Sequence, residues 1–274
     1  MALTLDQIVS GALPGPVEYM KAAFTGQAAG ELHSSFLLVG TPGAGSSPGG
    51  GINGSARANP YTGTVAVPAA VASRKSYLTR FEFERGSNVG GGQVCDRIWD
   101  NTFTVTSTSS QAIAAPTLGS RDATFTAGQA APSNNGVGWL CGLEVYATMG
   151  AATPTVTLTY TAADGTAGRT AAVTGQSGAV AGWFQPFPLQ AGDLGVRTPT
   201  AVQLSVSWVS GTAGLVLYRP IARIGAPVTS VSTDRNALDL GLPLLPDGGC
   251  LWLVYRLTGA SAGQTSASLT FSQA

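Results

Sequence analysis

The chain has 274 residues, a formal net charge of zero and only 10% charged side chains, against about a quarter in an ordinary soluble domain. Lys21 and Lys75 are its only lysines and no basic cluster forms, so counterion-releasing contact with nucleic acid is not expected. No apolar run reaches the roughly 18 residues of a spanning helix, and the opening MALTLDQIV lacks the basic region of a secretory signal.

Gly, Ala, Ser and Thr replace the missing charge. Small neutral side chains suit protein contact surfaces, because an unpaired charge is costly to bury. The composition therefore points to a subunit of an assembly, without a membrane or nucleic-acid partner. Cys95, Cys141 and Cys250 are odd in number, far apart and set in apolar surroundings. They read as small buried hydrophobes of a reducing compartment, not as disulfides or metal ligands.

In chain order, Thr4 and Gln7 are spaced as a capping box for a first short helix carrying Leu5, Ile8, Val9 and Leu13. Pro14 to Pro16 breaks it. A second short helix is predicted from Pro16 towards Gly26, with Val17, Met20 and Phe24 on one face. Helices this short need something to dock on. Residues 40–60 are Gly/Ser/Pro-rich and read as a linker. The expected division is a docking arm and linker over 1–60 and a β-rich body over 61–274.

The body alternates. Tyr77, Thr79, Phe81 and Phe83 form one stripe; Val137, Trp139, Cys141, Leu143 and Val145 another. Val156, Leu158 and Tyr160 follow, then Val202, Leu204, Val206 and Trp208, then Leu251, Leu253 and Tyr255, with Leu269 and Phe271 last. Period-two stripes joined by Gly- and Asp-rich turns predict an all-β, antiparallel sandwich, jelly-roll-like. Residues 234–246 fit either a helical turn or an extended arm.

No catalytic, cofactor or metal constellation stands out. Gly45-Ser46-Ser47-Pro48-Gly49 has the spacing of a nucleophile elbow, but in a linker and with His33 the only histidine. Glu82 and Glu84 share a strand face, and Arg80 and Arg85 are there to pair with them. Asp234, Asn236 and Asp239 lack the calcium-loop pattern. Trp183, Phe184 and Phe187 form an aromatic group that reads as core or subunit contact. Trp252 lies opposite Leu251 and Leu253, in a second core layer or at an interface. With the arm's apolar residues, these four are the candidate interface.

The run Cys95-Asp96-Arg97-Ile98-Trp99-Asp100-Asn101, the following Thr104 to Thr108, Gly142-Leu143-Glu144-Val145-Tyr146, Gly150 to Thr161 and Gly165 to Arg169 resembles virion structural proteins of tailed bacteriophages. The resemblance spans roughly residues 77 to 225. It implies a particle component made in the host cytoplasm, with no catalytic residues to carry over. Within that class it suggests a head decoration, or cement, protein: a homotrimer bridging the major capsid protein through its arm. The alternative is a tail or head-fibre protein binding host carbohydrate on exposed tryptophans.

Overall fold

A computed structural model describes residues 4–24, 26, 28–71, 74–88, 90–114, 116, 118, 136–259 and 263–274, apart from the side chain at 257. Helix α1 (Leu5–Ser10) is followed by β1 (Val17–Lys21), β2 (Leu32–Ser34), β3 (Gly40–Thr41), a 3-10 turn at Gly51–Asn53, β4 (Ser55–Ala56) and β5 (Val65–Ala66). The long strands β6 (Ser76–Arg85) and β7 (Gly90–Asp100) precede β8 (Gln111–Ala112), β9 (Leu140–Ala147), β10 (Thr155–Ala162), β11 (Arg169–Thr174) and β12 (Trp183–Pro186). Then come β13 (Val196–Leu204), β14 (Thr212–Ala226), β15 (Thr233–Arg235), helix α2 (Ala237–Leu240), β16 (Leu244–Leu245), β17 (Cys250–Leu257) and β18 (Thr265–Gln273). The all-β, antiparallel class is the one expected from the alternating stripes.

The centre of the fold is a closed ring. β7 pairs with β14, β14 with β9, β9 with β12, β12 with β2, β2 with β17, and β17 returns to β7. All these pairings are antiparallel, so the main edges are used up, which is how barrels avoid exposed strands. Two sheets stack on the outside of this ring. One has the order β15-β6-β18-β1-β3, with β16 also on β6; the other is β11-β10-β13-β8. The face-to-face stacking expected of a sandwich is present, but its middle member closes on itself.

Register decides which side chains fill which layer. Leu251, Leu253 and Tyr255 of β17 point outward and pack with Phe81, Phe83, Leu269 and Phe271 of the first sheet. Cys141, Leu143 and Val145 of β9 point outward on another side and pack with Val156, Leu158, Val202 and Leu204. The alternate residues point into the ring, where Phe184, Val216, Tyr218, Trp252 and Val254 meet. Phe184, Tyr218 and Trp252 stack edge-on, with centroids 5.4 to 6.3 Å apart. Edge-on pairs add about 0.5–1.5 kcal/mol each beyond burial. Gly142 of β9 faces the same space, and a Cβ there would run into the Phe184 ring. Gly142→Val is therefore expected to cost about 1–3 kcal/mol by overpacking, read as a lower urea midpoint.

The region before residue 60 departs from expectation. The capping box at Thr4 and Gln7 forms as read. The second helix does not: Val17–Lys21 is a strand paired along β18, with Tyr19 and Lys21 buried and Glu18 and Met20 outward. The spacing of Val17, Met20 and Phe24 fits a helix locally, but β18 supplies a full ladder of backbone partners from the far end of the chain. β2 is a member of the ring, so residues 1–60 do not stand apart as an arm. The Gly/Ser/Pro stretch is likewise built in. Asn101 Nδ2 donates to Ile52 O at 2.7 Å and Trp99 Nε1 to Asn53 O at 3.1 Å.

The stripe on β6 also shifts. Leu78, not Tyr77, is buried, while Phe81 and Phe83 remain inward. A bulge explains it: Leu78 lies opposite Phe271 and Arg80 opposite Thr270, leaving Thr79 without a partner and moving the alternation by one. On β13 the stripe stops at Leu204; Val206 is exposed beyond the strand, and Trp208 is buried from irregular chain. Residues 233–245 realise both readings offered for them: two short strands flank α2, which Asn236 caps.

Candidate functional site

The densest group of ionisable side chains lies inside the ring. Arg97 on β7 donates from Nε to Asp100 Oδ2 at 2.5 Å and from Nη2 to Glu144 Oε2 at 2.6 Å and the Tyr146 hydroxyl at 3.0 Å. Asp100 also accepts from Arg57 Nε at 2.6 Å and the Tyr61 hydroxyl at 3.2 Å. Arg97, Asp100 and Glu144 are fully buried. The Arg97 guanidinium lies 3.9 Å from the Phe36 ring centroid and 5.2 Å from that of Trp252, a cation between two aromatic rings.

A backbone irregularity assembles this group. Arg97 pairs with Tyr218 and Trp99 with Leu217, so Ile98 is the extra residue of a bulge. Strict alternation would send Arg97 and Asp100, three apart, to opposite faces. The bulge turns both into the ring while Ile98 and Trp99 face outward. Glu144 and Tyr146 arrive from β9, two apart on its inward face.

Burial alone would lower the pKa of Arg97, but the Glu144 and Asp100 carboxylates outweigh it and hold the guanidinium well above its ordinary value. Burial, with Glu144 beside it, pushes the Tyr146 phenol up. With Arg97, Asp100 and Glu144 sealed from solvent and Arg57 partly buried at the edge of the group, the arrangement is chemically suited to fixing strand register inside the ring.

The candidate interface residues divide. Trp183 and Phe187 belong to the core against the β10 sheet, and Phe184 and Trp252 fill the ring. These four are interior packing and not a surface, because the closed ring gives its strands two buried faces. Of the N-terminal group, Leu5 is 73% and Val9 67% exposed. Met20 is also exposed, Ile8 is half-buried, and Leu13, Val17 and Phe24 pack partly against the first sheet. Phe24 stacks on His33 at 3.7 Å between centroids.

Other sequence candidates separate in space or are already occupied. Glu82 pairs with Arg80 at 2.8 Å, and Arg80 reaches Asp234 at 3.3 Å. Arg85 faces the opposite way, buried against Thr265 and the Tyr255 ring. Asn236 spends its side chain on the α2 cap. The elbow-like spacing at Gly45 falls in irregular chain, and His33 is buried against Phe24 and Tyr255. The three cysteines are buried thiols. Among the described residues no group of His, Cys, Asp and Glu has the makings of a metal site, and no helix is long and apolar enough to cross a membrane.

Sequence reasoning missed the Arg97–Asp100–Glu144 group, although all three residues lie in the stretches that carry the phage resemblance. It also missed Lys21. That ammonium is buried and donates to the carbonyls of Leu38 at 3.0 Å, Pro42 at 2.6 Å and Gly43 at 3.3 Å, and burial lowers its pKa to about 8. The available signal was scarcity: in a chain this poor in charge, each charged residue in an apolar strand is a candidate for a buried role.

No protein-family model matches the chain, and no curated protein matches it. Solved structures with some likeness include the infectious bursal disease virus VP2 subviral particle. It is 10% identical, with 99% of this chain and 83% of that one covered and a TM-score of 0.19. The structure of the Gx strain of the same virus is also 10% identical, over 95% and 81%, at a TM-score of 0.22. Superpositions this loose do not establish a shared fold.

Proposed function

We propose that this chain is a non-catalytic structural subunit of a tailed-phage particle, of the decoration type that bridges major capsid subunits, and that it works as a homotrimer. The observation that carries the assembly reading is the border of the first sheet. α1 lies along β18 with no buried residue of its own and presents Leu5 and Val9 to solvent. Next to it, β1 is paired with β3 at Met20 and Lys21, and among the described residues the backbone of Val17 to Tyr19 has no strand partner on that side. Exposed apolar side chains beside an unpaired strand edge are what a neighbouring subunit covers. The 10% charge of the chain supports the same reading. The tailed-phage and decoration terms rest on the sequence resemblance. The carbohydrate-binding alternative called for exposed tryptophans, and Trp183 and Trp252 are both interior.

Removing residues 1–30 is a poor test, because it deletes β1 from the middle of a sheet. Leu5→Glu combined with Val9→Glu is expected to leave the fold intact, since both side chains are largely exposed and the helix buries no residue. The purified variant is expected to unfold at the wild-type urea midpoint. In gradient-purified particles, mass spectrometry should find the wild-type chain and only traces of the variant. Absence of the wild-type chain from particles, or equal incorporation of the variant, would overturn the proposal.

A further inference from the structure

Three arginines converge on one cleft. Arg223 on β14, Arg235 on β15 and Arg256 on β17 line a space of about 460 Å3, together with Gly90, Gly91 and Gly225. Register places them. Arg256 stands opposite Gly91, and Gly91 opposite Gly225. Arg223 is two residues before Gly225 in a regular stretch of ladder, so Arg223 and Arg256 flank the glycines on one face. Arg235 enters from the edge strand of the neighbouring sheet.

Two features of this cleft are costly to the folded chain by itself. The first is charge. The chain has only 14 Lys and Arg residues, yet three gather here. Among the described residues no Asp or Glu lines the cleft and none of the three arginines makes an ion pair. Like charges held together without a counter-charge repel one another. The second is Gly225. It sits inside a strand, where glycine weakens the ladder. No left-handed φ requires it, and a Cβ there would meet only Gly90 O at 4.0 Å. Neither backbone nor packing demands a glycine, whereas a ligand approaching the strand does.

We infer that this cleft binds a small anion carrying two or more oxyanion groups, of the diphosphate or di- and tricarboxylate class. Guanidinium forks pair with such groups bidentately, the glycine floor admits them to the backbone, and the volume lies in the range of small-molecule sites. This inference does not depend on the particle role, since it concerns the isolated chain.

The test is calorimetric titration of the purified protein with sodium pyrophosphate and with citrate, at constant ionic strength set by sodium chloride. Saturable binding of either anion is expected, and their ratio assigns the class. Arg223→Ala and Arg256→Ala should each weaken it about tenfold or more. Gly225→Val should abolish it while leaving the urea midpoint unchanged or higher, because valine favours a strand. The exposed arginine variants keep the test informative if the valine variant fails to fold. Three results would overturn the inference: no saturable binding of either anion, binding unaffected by the arginine changes, or capture of a single-stranded oligonucleotide but neither small anion.

Discussion

Arg97→Met is expected to lower the free energy of unfolding by about 3–5 kcal/mol, the cost of stranding a buried charge. The reason lies in what remains. Asp100 keeps Arg57 and Tyr61 as partners, but Glu144 loses the one cation it pairs with among the described residues. A carboxylate sealed inside the ring must then stay charged without compensation or take up a proton. The cation between Phe36 and Trp252 is lost as well. Adding Glu144→Leu to Arg97→Met should recover part of the loss, because it removes the stranded charge and leaves an apolar neighbour for Phe184 and Trp252. Urea unfolding of the wild type, both single variants and the double variant completes the cycle. A wild-type midpoint for Arg97→Met would show that the ion group contributes nothing to stability.

Acid should destabilise the protein through His33, by up to about 4–5 kcal/mol between pH 6.5 and pH 3. The imidazole is fully buried, stacked on Phe24 and tilted against Tyr255. Burial lowers its pKa from 6.5 to about 3, and the nearby Arg85 guanidinium adds to the effect. Above pH 6.5 the ring is neutral in folded and unfolded chains, and His33 leaves stability unchanged. Below it the unfolded chain binds a proton that the folded chain refuses, so stability falls by about 1.4 kcal/mol for each pH unit. His33→Leu removes this term. Its unfolding free energy should fall less between pH 6.5 and pH 4 than that of the wild type. Parallel pH profiles for the two proteins would exclude His33 as the cause.

Both predictions concern residues whose buried roles the sequence does not announce, and the reasons are physical. β10 was legible because Thr alternates with Val156, Leu158 and Tyr160 along a strand with one wet face. β9 was half legible. Trp139, Cys141, Leu143 and Val145 of its stripe are core, but Val137, the first member, is exposed, and a strand with one wet face would put the intervening Glu144 and Tyr146 towards solvent. They face the inside of a ring that no local pattern announces. On β6 the alternation misleads, because the bulge at Thr79 moves the phase by one residue; β7 carries a bulge of its own at Ile98.

Composition and periodicity therefore determine the class: scarce charge, period-two stripes and turn residues make an antiparallel all-β chain without reference to tertiary contacts. The capping box at Thr4 and Gln7 is local in the same sense, with donors and acceptors three residues apart. Closure of the ring is not local. It depends on β2 bridging β12 and β17, where Ser35 Oγ donates to Leu253 O across 218 residues of sequence. Val17–Lys21 becomes a strand only because β18 lies beside it. Pairing over such separations is set by which surfaces fold together. That is also why four aromatic residues that read as either core or interface are core, and why three arginines far apart in the chain share one cleft.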